Sequence, residues 1–284
     1  MASVTLKMRS NALQQRVEVT LYFPTDLPVE TGLNTPKGVL YLLHGYTNCG
    51  SDWLSMTAAG RYAADNSLIL VMPDMHNSFY ADMVYGGNYY TYITEELPAF
   101  LHSMMRLPTG RENTFVAGLS MGGYGALLLG LSRPDLYSAA ASFSGAVDVQ
   151  YMLDIANQYP QAEAACADMF DAIYGQHVTV PPQYNLLALA QKAAQLPKQQ
   201  QPRIMCTVGL QDHEPYFIYE QNQNFKATME KLPLAYHYME WEGRHEWNFW
   251  DRSLCEAIDY FLDNGYAAQK RQDWAYKAQT HRQV

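Results

Sequence analysis

The segment from Thr114 to Gly130 constrains this chain more than any other. Thr114-Phe115-Val116-Ala117-Gly118 is short, apolar and β-branched, which suits a buried strand. Gly122-Gly123-Tyr124-Gly125-Ala126-Leu127-Leu128-Leu129-Gly130 reads as a closely packed helix, and Gly118-Leu119-Ser120-Met121-Gly122 joins the two. A strand, a G-x-S-x-G turn and a helix in that order describe a bend too tight for Cβ atoms beside the serine backbone. Such a bend holds the hydroxyl above the end of a sheet, with the N–H groups of the first helical turn aimed at the same spot. Ser120 is therefore a candidate nucleophile. The alternative is a serine that only caps the helix.

The rest of the chain supplies a sheet for that turn. Val4–Met8 and Val17–Phe23 alternate as an antiparallel pair, and a Pro/Gly-rich loop leads to the continuous apolar strand Gly38–Leu43. A helix around Trp53–Ala64, the strand Leu68–Met72, a tyrosine-rich loop and a helix from about Tyr92 to Met105 precede the serine turn. Strands are expected again at Ala139–Phe143, Arg203–Val208 and Leu234–Trp241, with helices around Tyr219–Lys231 and Phe249–Leu262. Continuous apolar strands alternating with helices imply a mostly parallel sheet of about eight strands covered on both faces, an α/β class. At 284 residues one domain is expected, spanning 1–284. Residues 148–201 carry helical patches at Gln150–Gln158, Ala162–Tyr174 and Leu186–Leu196 and no good strand, so they read as a small helical cap inserted over the strand ends. Residues 265–284, with Lys270, Arg271, Trp274 and Lys277, read as a surface tail helix with a packing role.

Composition narrows the partners. The net charge of −9, with no Lys/Arg block, argues against nucleic acid or an anionic membrane surface. Met1 to Ser10 lacks an apolar signal core and no run reaches transmembrane length, so a cytoplasmic location is expected. Cys49, Cys166, Cys206 and Cys255 are widely separated and read as reduced thiols; those of Cys206 and Cys255 are expected to pack in the core.

A serine hydroxyl needs a base, and the base needs an orienting acid. After a G-x-S-x-G turn of this kind the order along the chain is Ser, acid, His. Beyond the last expected strand lie only His245, in the loop that follows it, and His281, in the tail. His245 is the candidate base. Arg203–Val208 leads into Gly209-Leu210-Gln211-Asp212-His213-Glu214, which makes Asp212 the candidate acid. Glu214 and Asp148 are fallbacks, a turn or cap role is the plainer reading of Asp212, and His213 would be a neighbour without proton transfer. Two N–H donors are needed for an oxyanion: Met121, just after the serine, and Tyr46, in the loop His44-Gly45-Tyr46-Thr47-Asn48.

With Leu43-His44-Gly45, Gly118 to Ala126 and Gly243-Arg244-His245-Glu246-Trp247 in place, the chain resembles the esterase D/feruloyl-esterase-like family of α/β-hydrolases, and most its bacterial tributyrin esterase branch. Ser78-Phe79-Tyr80-Ala81-Asp82 and Tyr90 to Pro98 add to the likeness, which runs from about Val17 to Leu262. The resemblance implies an α/β-hydrolase fold and a serine carboxylesterase for short acyl esters, with no metal or cofactor. It assigns Ser120, Asp212 and His245 to one triad. S-formylglutathione hydrolases form a sister branch with Ser-Gly-Leu-Thr-Cys at the oxyanion loop and a histidine where this chain has Tyr124. Here Cys49 falls one position late, which weighs against thioester cleavage. Feruloyl and acetylxylan esterases share the scaffold. Tyr85, Tyr89, Tyr90, Met169 and Tyr174 are candidates to line either kind of site, while Trp53 and Trp247 read as packing residues. A homo-oligomer, an acyltransferase and a silent binding scaffold are the remaining alternatives; the last would lack a triad member, and none is missing.

Overall fold

The computed structural model describes residues 2–25, 36–108, 110–156, 164–175 and 179–280, the side chains of 155–156, 164–167 and 274–280 excepted. His281, part of the loop before Gly38 and the two ends of the 148–201 helical patches that meet at 157–163 lie outside them.

Chain order begins with β1 (Ala2–Ser10), β2 (Gln15–Phe23) and β3 (Gly38–Leu43), then α1 (Asp52–Met56), α2 (Ala59–Asn66) and β4 (Leu68–Pro73). A continuous helix follows over 89–105, made of α3 (Tyr89–Thr91), a π-helical turn (Tyr92–Glu96) and α4 (Leu97–Met105). Next come β5 (Thr114–Leu119), α5 (Met121–Ser132) and β6 (Ala139–Phe143). The inserted segment holds α6 (Val149–Ala156), α7 (Ala164–Tyr174) and α8 (Leu186–Ala193). The chain closes with β7 (Arg203–Gly209), α9 (Ile218–Met229), β8 (Ala235–Trp241), α10 (Trp247–Leu262) and α11 (Tyr266–Thr280).

The eight strands form one sheet in the order β1-β2-β4-β3-β5-β6-β7-β8. β2 is antiparallel to both neighbours and every other pairing is parallel. Parallel strands leave all their C-terminal ends on one edge, where ligands of open α/β sheets bind. Alternation along β3 shows how the core is divided. Val39, Tyr41 and Leu43 join the cluster beneath α4, α5, α8 and α9, whereas Leu40 and Leu42 join the one beneath α1, α2 and α10. Both sets are buried, so β3 and β5 read as unbroken apolar runs. Each fully buried Leu or Val there contributes about 1.5–3 kcal/mol. This is an α/β-hydrolase fold.

One local expectation needs correction. The single helix expected around Trp53–Ala64 is two helices, because Thr57 is extended (φ −135°, ψ 174°). Its hydroxyl donates to the Trp53 carbonyl and accepts from Ala59 N–H, and Asp251 accepts from Ala58 N–H at 2.7 Å, so backbone groups at both helix ends find partners at the break. Within 148–201, α6 and α7 bring Met152 and Met169 to the strand ends, whereas α8 lies against α5 and α9. On α11, Lys270 pairs with Asp65 at 2.8 Å and Arg271 with the buried Glu256. Cys206 and Cys255 are buried, as packing thiols should be.

Candidate active site

Ser120 follows β5 directly, with φ +54° and ψ −119°, a conformation that costs an L-residue on the order of 1–3 kcal/mol. The glycines beside it make that bend possible. A Cβ on Gly118 would sit 2.2 Å from the Gly122 carbonyl oxygen, and one on Gly122 would sit 2.2 Å from that of Leu43. Strand β5, helix α5 and the end of β3 therefore touch backbone to backbone. Ser120 N–H donates to the Phe143 carbonyl at 2.9 Å, which ties the bend to β6. The serine side chain makes no capping bond to α5. It turns instead to a histidine.

His245 Nε2 lies 2.9 Å from Ser120 Oγ, and His245 Nδ1 lies 2.9 Å from Asp212 Oδ2. A carboxylate only accepts, so Nδ1 carries a proton, and in the neutral ring the Nε2 lone pair faces the serine hydroxyl. Asp212 is 4 % exposed and His245 26 %, so the acid is enclosed while the imidazole faces the cavity. The structure thus brings together the three residues picked out by chain order. Glu214 is exposed, and Asp148 instead caps α6 by accepting from Tyr151 N–H at 3.0 Å. His213 points to Glu220 at 2.6 Å; that hydrogen bond raises its pKa, and it takes no part in the array.

The loops after β7 and β8 are held in register by their own backbone. Leu210 N–H donates to the Trp241 carbonyl at 3.0 Å and Gln211 N–H to that of Gly243 at 3.1 Å. A Cβ on Gly209 would lie 2.3 Å from the Gly243 oxygen, so close contact is built into this junction.

A cavity of about 250 Å³ opens over Ser120. Gly45, Tyr46, Asn48 and Met121 line it on the side of the loop after β3 and of α5. Phe79, Leu119, Ala146, Met152, Met169 and Ile218 give it apolar walls, while Tyr216 and Trp250 flank His245. Trp250 meets the His245 ring edge-on at 5.0 Å between centroids. Of the tyrosine-loop and cap candidates, only Met169 reaches this cavity. Tyr85 is 68 % exposed, Tyr89 and Tyr174 are buried elsewhere, and Tyr90 bonds to Ser132 at 2.8 Å. Phe170 and Tyr174 stack instead in a cluster with Phe79 and Tyr184 that holds α7 down. Trp53 is fully buried and meets Trp247 edge-on, as packing residues do.

Phe79, Met152, Tyr216, Ile218 and Trp250 were not legible as cavity residues. Trp250 had the best signal, lying on the first turn of the helix after the histidine loop. The others reach the site through loop and cap geometry that leaves no spacing signature.

Among the described residues no helix is long and apolar enough to cross a membrane. The family model described as "Putative esterase" matches residues 10–261. An acetyl esterase of Caldicellulosiruptor saccharolyticus is 27 % identical over 266 residues, covering 92 % of this chain and 98 % of the relative. The fluorophosphonate-binding serine hydrolase F of Staphylococcus aureus, solved with substrate bound, superposes with a TM-score of 0.77 at 27 % identity, over 92 % of this chain and 98 % of its own. An S-formylglutathione hydrolase of Staphylococcus aureus does so with a TM-score of 0.72 at 25 % identity, over the same shares. With the family model spanning nearly the whole chain around this serine-bearing cavity, the protein belongs to that esterase family and is a carboxylic ester hydrolase.

Proposed function

We propose that the chain hydrolyses esters of short carboxylic acids by two-step acyl transfer through Ser120. As Ser120 Oγ bonds to the ester carbonyl carbon, His245 Nε2 takes its proton and Asp212 holds the imidazolium through Nδ1–H. The carbonyl electron pair moves onto oxygen, and the N–H groups of Tyr46 and Met121 bond that oxyanion. Such donors are worth about 10²–10³ each in kcat. Collapse breaks the bond to the alcohol oxygen, which leaves with the proton from His245. Water then gives a proton to His245, attacks the acyl-enzyme and releases the acid, and the proton returns to Ser120.

The observation that carries this reading is His245 bridging Ser120 and Asp212 at 2.9 Å on each side. The short acyl preference rests on the cavity. About 250 Å³ with apolar walls lies below the roughly 300 Å³ where drug-sized pockets begin. A cavity of this size favours acetyl to butyryl groups as the reading to test against a feruloyl group. The acetyl esterase relative supports the same choice. Cys49 bonds to Ser51 and Asp52 at 3.2 and 3.4 Å and does not line the cavity, which favours oxygen esters over glutathione thioesters.

The test is a series of p-nitrophenyl esters of rising acyl length beside methyl ferulate and S-formylglutathione. The highest kcat/KM is expected between acetyl and butyryl. A higher value on the ferulate or the thioester would overturn the substrate choice.

A further inference from the structure

His44 is fully buried beside the nucleophile, and both its ring nitrogens are engaged. Met75 N–H donates to Nε2 at 2.9 Å, so that nitrogen is unprotonated. Nδ1 lies 2.8 Å from the Gly45 carbonyl oxygen, which can only accept, so Nδ1 carries the proton. One neutral tautomer satisfies both contacts. Burial, the largest influence, also lowers the His44 pKa against the opposing pull of the Gly45 bond, Asp74 and Asp52.

These bonds aim a peptide. The Gly45 carbonyl accepts from His44 Nδ1–H and, at 3.2 Å, from Asn48 N–H. The Gly45–Tyr46 bond is trans, so the Tyr46 N–H points opposite to that carbonyl. A Cβ on Gly45 would lie 3.4 Å from Ser120 Cβ, so Gly45 sits beside the serine. A second anchor acts one peptide earlier. The Tyr80 hydroxyl donates to the His44 carbonyl at 2.8 Å. Its ring fills the notch left by Gly125, where a Cβ would sit 2.3 Å from it. Tyr80 thus ties the loop bearing Tyr46 to the helix bearing Met121.

We propose that His44 and Tyr80 are positioning residues that preset the Tyr46 N–H as an oxyanion donor: His44 fixes the Gly45 carbonyl away from the cavity, and Tyr80 fixes the His44 peptide to α5. The proposal rests on the reading of Ser120 as nucleophile and of Tyr46 and Met121 as donors.

Two measurements test it. Ring 15N NMR of the unaltered chain at neutral pH should show His44 as the Nδ1–H tautomer; the Nε2–H tautomer would overturn the proposal. Tyr80→Phe removes one hydroxyl. Its kcat on p-nitrophenyl acetate should fall about tenfold, with KM within about twofold, a partial loss of the effect of one oxyanion donor. Affinity for a short alkyl trifluoromethyl ketone, which forms a hemiketal oxyanion on Ser120, should fall by the same factor. A structural role alone would lower Tm and leave kcat and ketone affinity unchanged, and that result would overturn the proposal even if the NMR agreed. Should Tyr80→Phe fail to fold, the tautomer decides. Failure of the underlying reading is distinct: Ser120→Ala would keep turnover, whatever the state of His44.

Discussion

Gln211 and Gly243 exchange hydrogen bonds across the ends of β7 and β8: Gln211 N–H donates to the Gly243 carbonyl at 3.1 Å, and Gly243 N–H donates to Gln211 Oε1 at 2.8 Å. The residues lie next to Asp212 and two before His245, so this reciprocal pair joins the two loops that carry them. Gln211→Ala removes the side-chain half and keeps the backbone half. One hydrogen bond of about 1 kcal/mol lost from positioning corresponds to a roughly three- to tenfold fall in kcat, with KM little changed. Steady-state kinetics on p-nitrophenyl acetate check it; an unchanged kcat would mean that the backbone bonds alone hold the register.

Met152 and Met169 come from α6 and α7 and line the cavity over Ser120. Met169→Ala removes three heavy atoms from an apolar wall. The acyl optimum should move to longer chains, with kcat/KM for an octanoate ester rising about tenfold relative to acetate, the order expected from one or two extra methylenes buried. An unchanged chain-length profile would show that another surface limits the acyl group.

Glu96 accepts from Ser10 Oγ, Asn11 N–H and Ala12 N–H at 2.6, 2.7 and 3.0 Å, pinning the turn between β1 and β2. Burial alone would raise its pKa, but these three bonds outweigh burial and lower it. A carboxyl with a depressed folded pKa contributes stability above its unfolded pKa and loses it as pH falls through the folded one. Glu96→Gln should therefore lower the urea midpoint at pH 7, and the gap to the unaltered chain should shrink in acid. Equal gaps at both pH values would show that the bonds do not depend on the charge.

What could be read from residues alone divides along a physical line. Strands such as Gly38–Leu43 and Thr114–Leu119 were legible because a two-faced core demands unbroken apolar runs, and Ser120, Asp212 and His245 because chain order in a parallel sheet fixes which strand ends meet. The break at Thr57 was hidden, since it depends on Asp251, far along the chain, accepting from Ala58. Tyr216 and Trp250 were hidden for a related reason: an aromatic beside a loop is core or cavity wall depending on contacts that no local pattern encodes. His44 lay in plain sight as part of a motif, yet its tautomer required Met75 N–H, brought to it by the end of the neighbouring strand β4.

In the proposed reaction Ser120, driven by His245 and Asp212, forms the acyl bond. Labelling with a fluorophosphonate followed by peptide mass mapping tests it most directly, run beside kinetics of Ser120→Ala. One label per chain on Ser120 is expected, together with a fall in kcat of about 10³-fold or more in the variant. Folded Ser120→Ala that still labels and turns over p-nitrophenyl acetate near the unaltered rate would contradict it.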